Sequence, residues 1–242
     1  MYPILLSIGR VNVYTHGFMI ALGAVLGGLV IYFLAKKDNL NIAILFDLIA
    51  YSLLGGLVGA RLLYIVLYPS QFNGFWDMLA IWYGGLVSFG GLAVGLFIAW
   101  LFLKAKREPV YKWFDIGIIG LLGGWAIGRI GCLLNGDSLG IISASKIAIW
   151  GRLPTQLFES IWSLVVAGIC FWLLAKKKAL LPDGVIFWFG LGSYALGRFV
   201  IDFFLDENKI FLSLRPGQIG SLALFLLAFI IVFFMMRVGK EG

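Results

Sequence analysis

The chain has 242 residues, 62% of them hydrophobic and 13% charged, with a mean hydropathy of +1.00. Those values exclude a disordered chain and an ordinary soluble domain, and they predict one all-α, polytopic membrane domain over residues 1–242. The net charge of +7 does not point to nucleic acid as a partner, because the Lys and Arg residues fall between apolar segments, where membrane topology accounts for them.

A transmembrane helix needs about 20 largely apolar residues. Seven windows satisfy this, at roughly 13–35, 43–67, 79–103, 114–134, 155–175, 184–204 and 217–236. The opening Met1-Tyr2-Pro3-Ile4-Leu5-Leu6 lacks the basic region of a secretory signal peptide, so the first span is expected to act as the targeting signal and to stay in the protein. Gly55-Gly56-Leu57-Val58-Gly59 in the second window and Gly123-Gly124 in the fourth read as sites of close helix packing, where small residues let backbones approach. In the third window, Gly84-Gly85 and Gly90-Gly91 bracket Leu86-Val87-Ser88-Phe89 after Trp82-Tyr83. That pattern predicts a break or a re-entrant bend, which a membrane tolerates only where the backbone is buried in protein or lines a cavity.

The basic residues between spans set the orientation. Lys36, Lys37, Lys104, Lys106, Arg107, Lys112, Lys176, Lys177, Lys178, Arg237 and Lys240 collect on one side, and only Arg10, Lys146, Arg152, Lys209 and Arg215 on the other. The positive-inside rule then places the N-terminus outside and the C-terminus in the cytoplasm.

Three arginines remain inside spans: Arg61, Arg129 and Arg198. A cation in that setting costs roughly 2.5–3.5 kcal/mol on insertion scales, which makes each a functional hypothesis. With the topology above, all three lie in the outward half of the membrane, level with Glu159 and Asp202. Arginine is always charged, planar and able to donate two parallel hydrogen bonds, so it suits a phosphate. Three arginines against two acids predict a surplus cation and an anion site; helix docking by ion pairs is the competing reading, and Arg198 and Asp202 stand one helical turn apart.

Arg129 is followed by Asn135-Gly136-Asp137 and then Gly140. Asn-Gly marks a tight turn, which reads either as a simple helix C-terminus or as a turn whose amides line an oxyanion site. His16, the only histidine, stands at the outer end of the first span, where a hydrogen-bonded structural role outweighs a catalytic one. Cys132 reads as a small buried hydrophobe. One histidine and two separated cysteines argue against a disulfide and against a structural zinc site, so neither a metal nor a cofactor is expected.

The stretch Arg129-Ile130-Gly131 followed by Asn135-Gly136-Asp137 and Gly140 resembles the signature of the bacterial prolipoprotein diacylglyceryl transferases. Further segments resemble the same family in the same order: Ser7-Ile8-Gly9 with His16-Gly17, Gly59-Ala60-Arg61, Trp82 with Gly84-Gly85, Gly90-Gly91, Pro154 with Gln156-Leu157-Phe158-Glu159, Gly197-Arg198-Phe199 with Asp202, and Gly217-Gln218-Ile219.

The resemblance covers essentially the whole chain. It implies an enzyme of the bacterial cell membrane, active towards the outer leaflet, that moves diacylglyceryl from phosphatidylglycerol to the thiol of a lipobox cysteine in a preprolipoprotein, leaving a thioether and glycerol phosphate. By position it implies catalytic roles for Arg129 and Arg198 at the phosphate, and it brings Asn135, Gly140 and Asp137 into the signature, with Asp137 in place of the usual glutamate. The expected substrate-binding set is Arg61, Arg129, Asn135, Gly140, Glu159 and Asp202.

The chain also departs from the family. Phe89 stands where a histidine, cast as the base for the thiol, is common; His16 stands where tyrosine is common, and Cys132 where asparagine is. Either His16 takes over as base, or the field of the arginines suffices to generate the thiolate. The competing function is a non-catalytic lipid-binding or transport relative that keeps the arginine site. A transporter would show a second polar cluster for alternating access, whereas Asp47 and Asp115 near the cytoplasmic span ends have no arginine in the sequence beside them.

Overall fold

The computed structural model describes residues 1–8, 11–72, 74–81, 84–176, 181–207 and 213–241. Gly9, Arg10, Trp82, Tyr83, Lys177, Lys178 and Lys209, which enter the motifs and charge pattern above, lie outside the described residues, as does the side chain of Lys240. Two short strands open the chain, β1 (Ile4–Ile8) and β2 (Val11–Tyr14), paired antiparallel. Among the described residues eight α-helices follow: α1 (Thr15–Lys37), α2 (Leu45–Leu67), the five-residue α3 (Phe75–Leu79), α4 (Ser88–Ala105), α5 (Val110–Asn135), α6 (Thr155–Lys176), α7 (Val185–Ile201) and α8 (Pro216–Glu241). Seven helical segments are long and apolar enough to cross a membrane, so the all-α polytopic architecture stands.

One boundary moves. The third span begins at Ser88 rather than near residue 79. Gly84 and Gly85 take φ of +85° and +77°, a region that costs little without a Cβ, and they turn the chain between α3 and α4. The break therefore falls before Ser88, while Gly90 and Gly91 sit inside a regular helix.

The chain divides into two compact units, Met1–Leu34 with Tyr111–Gly242, and Ala35–Val110. In the second unit α2 packs on α4 through glycine. A Cβ at Gly59 would meet the Gly90 carbonyl and the Val94 side chain, and one at Gly90 would meet the Gly59 carbonyl. The Val87 amide donates to the Ala60 carbonyl at 3.1 Å and ties the start of α4 to α2.

In the first unit α5 is the central helix, with half of its span buried. Gly23 and Gly27 of α1 face Gly124 and Gly120 of α5 backbone to backbone, a four-residue glycine spacing on both helices that brings their axes close. Asp115 of α5 is fully buried and accepts from the amides of Gly184 at 2.9 Å and Phe187 at 2.8 Å. Gly184 cannot cap its own helix with a side chain, so this carboxylate serves as the N-cap of α7 and complements its dipole. That role accounts for an acid that the sequence leaves at a span end.

The hairpin is fastened to the far end of α5. The Tyr2 amide donates to the Leu134 carbonyl at 2.7 Å, and the Thr15 hydroxyl, at the start of α1, donates to the Tyr2 carbonyl. Met1 also lies against the turn after α5, where a Cβ at Gly136 would meet its side chain.

Candidate active site

Glu159, in the first turns of α6, has no exposed surface and is the hub of a polar cluster inside the first unit. Arg129 of α5 donates Nη2 to Glu159 Oε2 in a short ion pair. Arg198 of α7 donates Nη1 to Glu159 Oε1 at 2.8 Å, Trp125 donates its indole N–H to the same oxygen at 3.1 Å, and the Tyr194 hydroxyl donates there as well. Asp202, 2% exposed, lies 3.7 Å from Arg198 Nε one turn further along the chain.

Two guanidiniums thus face two carboxylates in a site nearly cut off from water. In such a medium the pairing must be close, because an uncompensated buried charge costs several kcal/mol. The helices impose the spacing: Trp125 precedes Arg129, and Tyr194 precedes Arg198, by four residues, so each arginine shares a helix face with an aromatic hydrogen-bond donor. Neither aromatic residue stands out in the sequence as polar, and this spacing is the signal that would have found them. Gly217, at the start of α8, lies against Asp202: a Cβ there would come to 2.5 Å from the carboxylate. Gln218 accepts from the Arg215 amide at 3.0 Å and donates to the Phe199 carbonyl at 3.4 Å, which holds α8 on the end of α7. Of the guanidinium nitrogens, Arg129 Nε and Arg198 Nε are buried without a hydrogen-bond partner among the described residues.

Arg61 departs from the expected phosphate-binding role. It lies in the second unit, and all five of its N–H donors are engaged by backbone carbonyls: Nε on Met78, Nη1 on Gly84 and Gly85, Nη2 on Asp77 and Ala80. Its guanidinium also lies 5.1 Å from the Phe72 ring centre. A fork with no donor left is an organiser of the backbone at Asp77, Met78, Ala80, Gly84 and Gly85. The surplus cation expected from three arginines against two acids thus has no free N–H to offer an anion, and in the Glu159 cluster of the first unit two arginines match two acids.

The signature turn is a helix C-cap. Gly136 has φ of +88°, and the amides of Gly136 and Asp137 both donate to the Cys132 carbonyl, at 2.9 and 3.0 Å. Neither amide is left to line an oxyanion site. Asn135 turns its amide onto Asp137 Oδ2 at 2.7 Å, and Gln156 donates to the Asp137 carbonyl, which fixes the turn against the start of α6. Gly140 is required by contact: a Cβ there would run into the Leu153 carbonyl, and its own carbonyl accepts from Arg152 at 3.0 Å.

A second cluster adjoins the first. His16 Nδ1 lies 3.5 Å from Asp137 Oδ2 and 3.7 Å from Cys132 Sγ, while Cys132 Sγ accepts from Arg129 Nη1 at 3.6 Å. The ligand atoms of His16, Cys132 and Asp137 all lie within 4.8 Å of one another. Cys132 is buried, whereas the side chains of His16 and Asp137 are 37% and 46% exposed, so the cluster runs from the arginine centre out to the surface. In the sequence Cys132 reads as a buried hydrophobe; only folding, which brings it to His16 from 116 positions away, reveals its polar neighbours.

The fold and these two clusters define a polytopic helical membrane protein with a buried arginine–carboxylate centre at one end of its spans, next to a thiol, an imidazole and a carboxylate. The family described as prolipoprotein diacylglyceryl transferase matches residues 3–234, and the chain belongs to that family. Among its relatives, phosphatidylglycerol–prolipoprotein diacylglyceryl transferase 1 of Clostridium perfringens is 28% identical, over 100% of this chain and 97% of the relative. The enzyme of that name from Streptococcus uberis is 31% identical over 99% and 96%, and the one from Trichormus variabilis 29% identical over 91% and 84%.

Proposed function

We propose that this protein transfers the diacylglyceryl group of phosphatidylglycerol to the lipobox cysteine thiol of preprolipoproteins, in the cell membrane and from its outer leaflet, with the whole chain acting as one membrane domain. The observation that carries this reading is the buried pair of arginines locked on Glu159, immediately beside the His16–Cys132–Asp137 cluster, in a chain of this family.

The reaction needs two things of the site. A thiol of ordinary pKa, about 8.5, must lose its proton before it attacks carbon. The sulfur then bonds to the diacylglyceryl carbon as the carbon–oxygen bond breaks, and the electron pair departs on the phosphate of glycerol phosphate. Arg129 and Arg198 meet that developing charge with donors already in place, which avoids reorganisation in a poorly solvated site. Arg129 Nε and Arg198 Nε, the latter 3.7 Å from Asp202, make no hydrogen bond among the described residues and can turn to the phosphate. Glu159 and Asp202 act as positioning residues: they hold both forks and compensate their charge before substrate arrives. Asn135 and Gly140 shape the turn that presents Asp137. His16, 3.5 Å from Asp137 at the half-exposed edge of the cluster, is the group at hand to help generate the thiolate, since Phe89 offers no base.

The test is incubation of the purified protein in phosphatidylglycerol-containing vesicles with a lipobox peptide, scored by mass for diacylglyceryl addition. Product is expected, and Arg129→Ala should reduce its rate by about 100-fold or more, the usual effect of losing one preorganised donor to a developing oxyanion. No product from the unaltered protein, across phosphatidylglycerol contents, would overturn the reading in favour of a non-catalytic lipid-binding relative.

A further inference from the structure

We propose that His16, Cys132 and Asp137 form a three-ligand site for a divalent cation of the zinc class, with a fourth position that takes the substrate thiol. The first half stands on the cluster alone; the second rests on the transferase reading above.

The donor set fits such a cation on three counts. Thiolate, imidazole and carboxylate are the ligands zinc uses, and three protein ligands with an open position are the pattern of sites that do chemistry rather than hold a fold together. Bonds of about 2.0–2.3 Å at tetrahedral angles separate the donors by about 3.3–3.8 Å. Here Nδ1 to Sγ is 3.7 Å and Nδ1 to Oδ2 is 3.5 Å, with all three atoms inside 4.8 Å, so closing the remaining edge takes only a small rotation of the half-exposed Asp137 side chain. Charge also matches: one thiolate and one carboxylate neutralise a dication, while the neighbouring Arg129 is already compensated by Glu159.

The surroundings support the ligands. Asn135 donates to Asp137 Oδ2 at 2.7 Å and orients that carboxylate. Cys132 is fixed in the last turn of α5, whose end is sealed by Gly136 and Asp137, and His16 is set at the start of α1 by the hydroxyl and amide bonds of Thr15. The scarcity of histidine and cysteine argues against a four-ligand structural zinc site, but an open site needs only one of each with an acid. Soft thiolate and imidazole favour zinc or cobalt over magnesium or calcium.

A thiol bound at the fourth position loses its proton to solvent through the exposed edge of the cluster, because a coordinating thiol is deprotonated outright. Coordination then supplies the thiolate, and the metal is neither oxidised nor reduced.

Cobalt(II) is the probe, because a cobalt-bound thiolate gives a near-ultraviolet charge-transfer band. Titrating the purified full chain in detergent should yield one cobalt per chain with that band, displaced by zinc. The band should vanish in Cys132→Ser, persist in Cys170→Ser, and require more than about tenfold more cobalt in His16→Ala and in Asp137→Asn. Cobalt bound without the band, or the band unchanged in Cys132→Ser, overturns the site whatever the activity.

The second half is read separately, by adding a lipobox peptide to the cobalt form and watching the visible ligand-field bands. A shift that an otherwise identical Cys→Ser peptide does not produce supports thiol coordination, and no shift overturns it. In the vesicle assay, equal turnover with and without chelator would overturn the role in thiol activation and leave His16 as a free base. A cobalt site with no product under any condition would instead sink the transferase reading and leave the metal site standing.

Discussion

At the scale of residues, Glu159 is the group on which the site depends. Four donors converge on one carboxylate with no exposure, two of them cationic. Glu159→Gln keeps the shape but leaves two buried guanidiniums facing an amide. It should lower stability by about 3–5 kcal/mol, the usual cost of breaking a buried pair from one side, as measured by denaturant unfolding of the solubilised protein. Tyr194→Phe removes one neutral donor from the same oxygen and should cost about 1 kcal/mol. A Gln variant as stable as Tyr194→Phe would show that the carboxylate charge is not what holds the arginines. Arg61 tests the opposite case. Arg61→Lys retains the charge but not the five-donor fork, so several carbonyls between Asp77 and Gly85 lose their partner. It should destabilise by at least about 1.5–3 kcal/mol, the value of one charge-assisted bond. These two arginine environments separate what the sequence reveals from what it conceals. Arg129, Arg198, Glu159 and Asp202 are legible because charge inside a span is conspicuous. That Arg61 spends its donors on its own backbone is not, because carbonyls leave no mark in a sequence.

At the scale of elements, the same contrast appears in the glycines. Gly123 and Gly124 look alike as a pair, yet a Cβ on Gly124 would stand 2.5 Å from the Gly23 carbonyl, and one on Gly123 meets nothing within 4 Å. Gly124→Ala forces α1 and α5 apart and should cost about 1–3 kcal/mol. Gly123→Ala should be neutral or slightly stabilising, since alanine is the better helix former by about 0.8–1 kcal/mol. Thermal unfolding of the two variants side by side checks this, and equal effects would refute the packing assignment. The seven spans were readable because apolar length is a one-dimensional property. The hairpin was not: β1 is five residues and β2 four, and its place is set by bonds to Leu134 and Thr15 far along the chain or past its end. The start of α4 likewise depends on the Val87 bond to Ala60 and on two glycines at positive φ, whereas hydropathy alone runs on through residues 79–87.

At the scale of the whole molecule, the reading stands or falls on which way the spans run. α5 has 26 residues, about 39 Å at 1.5 Å per residue, enough to cross a hydrocarbon core of about 30 Å. Its two ends therefore open on opposite sides. The Arg129 cluster and the His16–Cys132–Asp137 cluster lie at its C-terminal end, and Lys104, Lys106 and Arg107 precede its N-terminal end. The charge pattern assigns the basic end to the cytoplasm. Exposed Ser145 follows α5 and exposed Arg107 precedes it, so single cysteines at these points report the two faces. In a background carrying Cys132→Ser and Cys170→Ser, a membrane-impermeant maleimide added to intact bacterial protoplasts should label Ser145→Cys at once and Arg107→Cys only after permeabilisation. The reverse pattern would put both clusters in the cytoplasm, where a thiol exported ahead of its lipid anchor never arrives. That single result would remove the outer-leaflet reaction while leaving every distance in the site unchanged, because the geometry of Arg129, Glu159 and Arg198 carries no information about sidedness; only the distribution of lysine and arginine between the spans does.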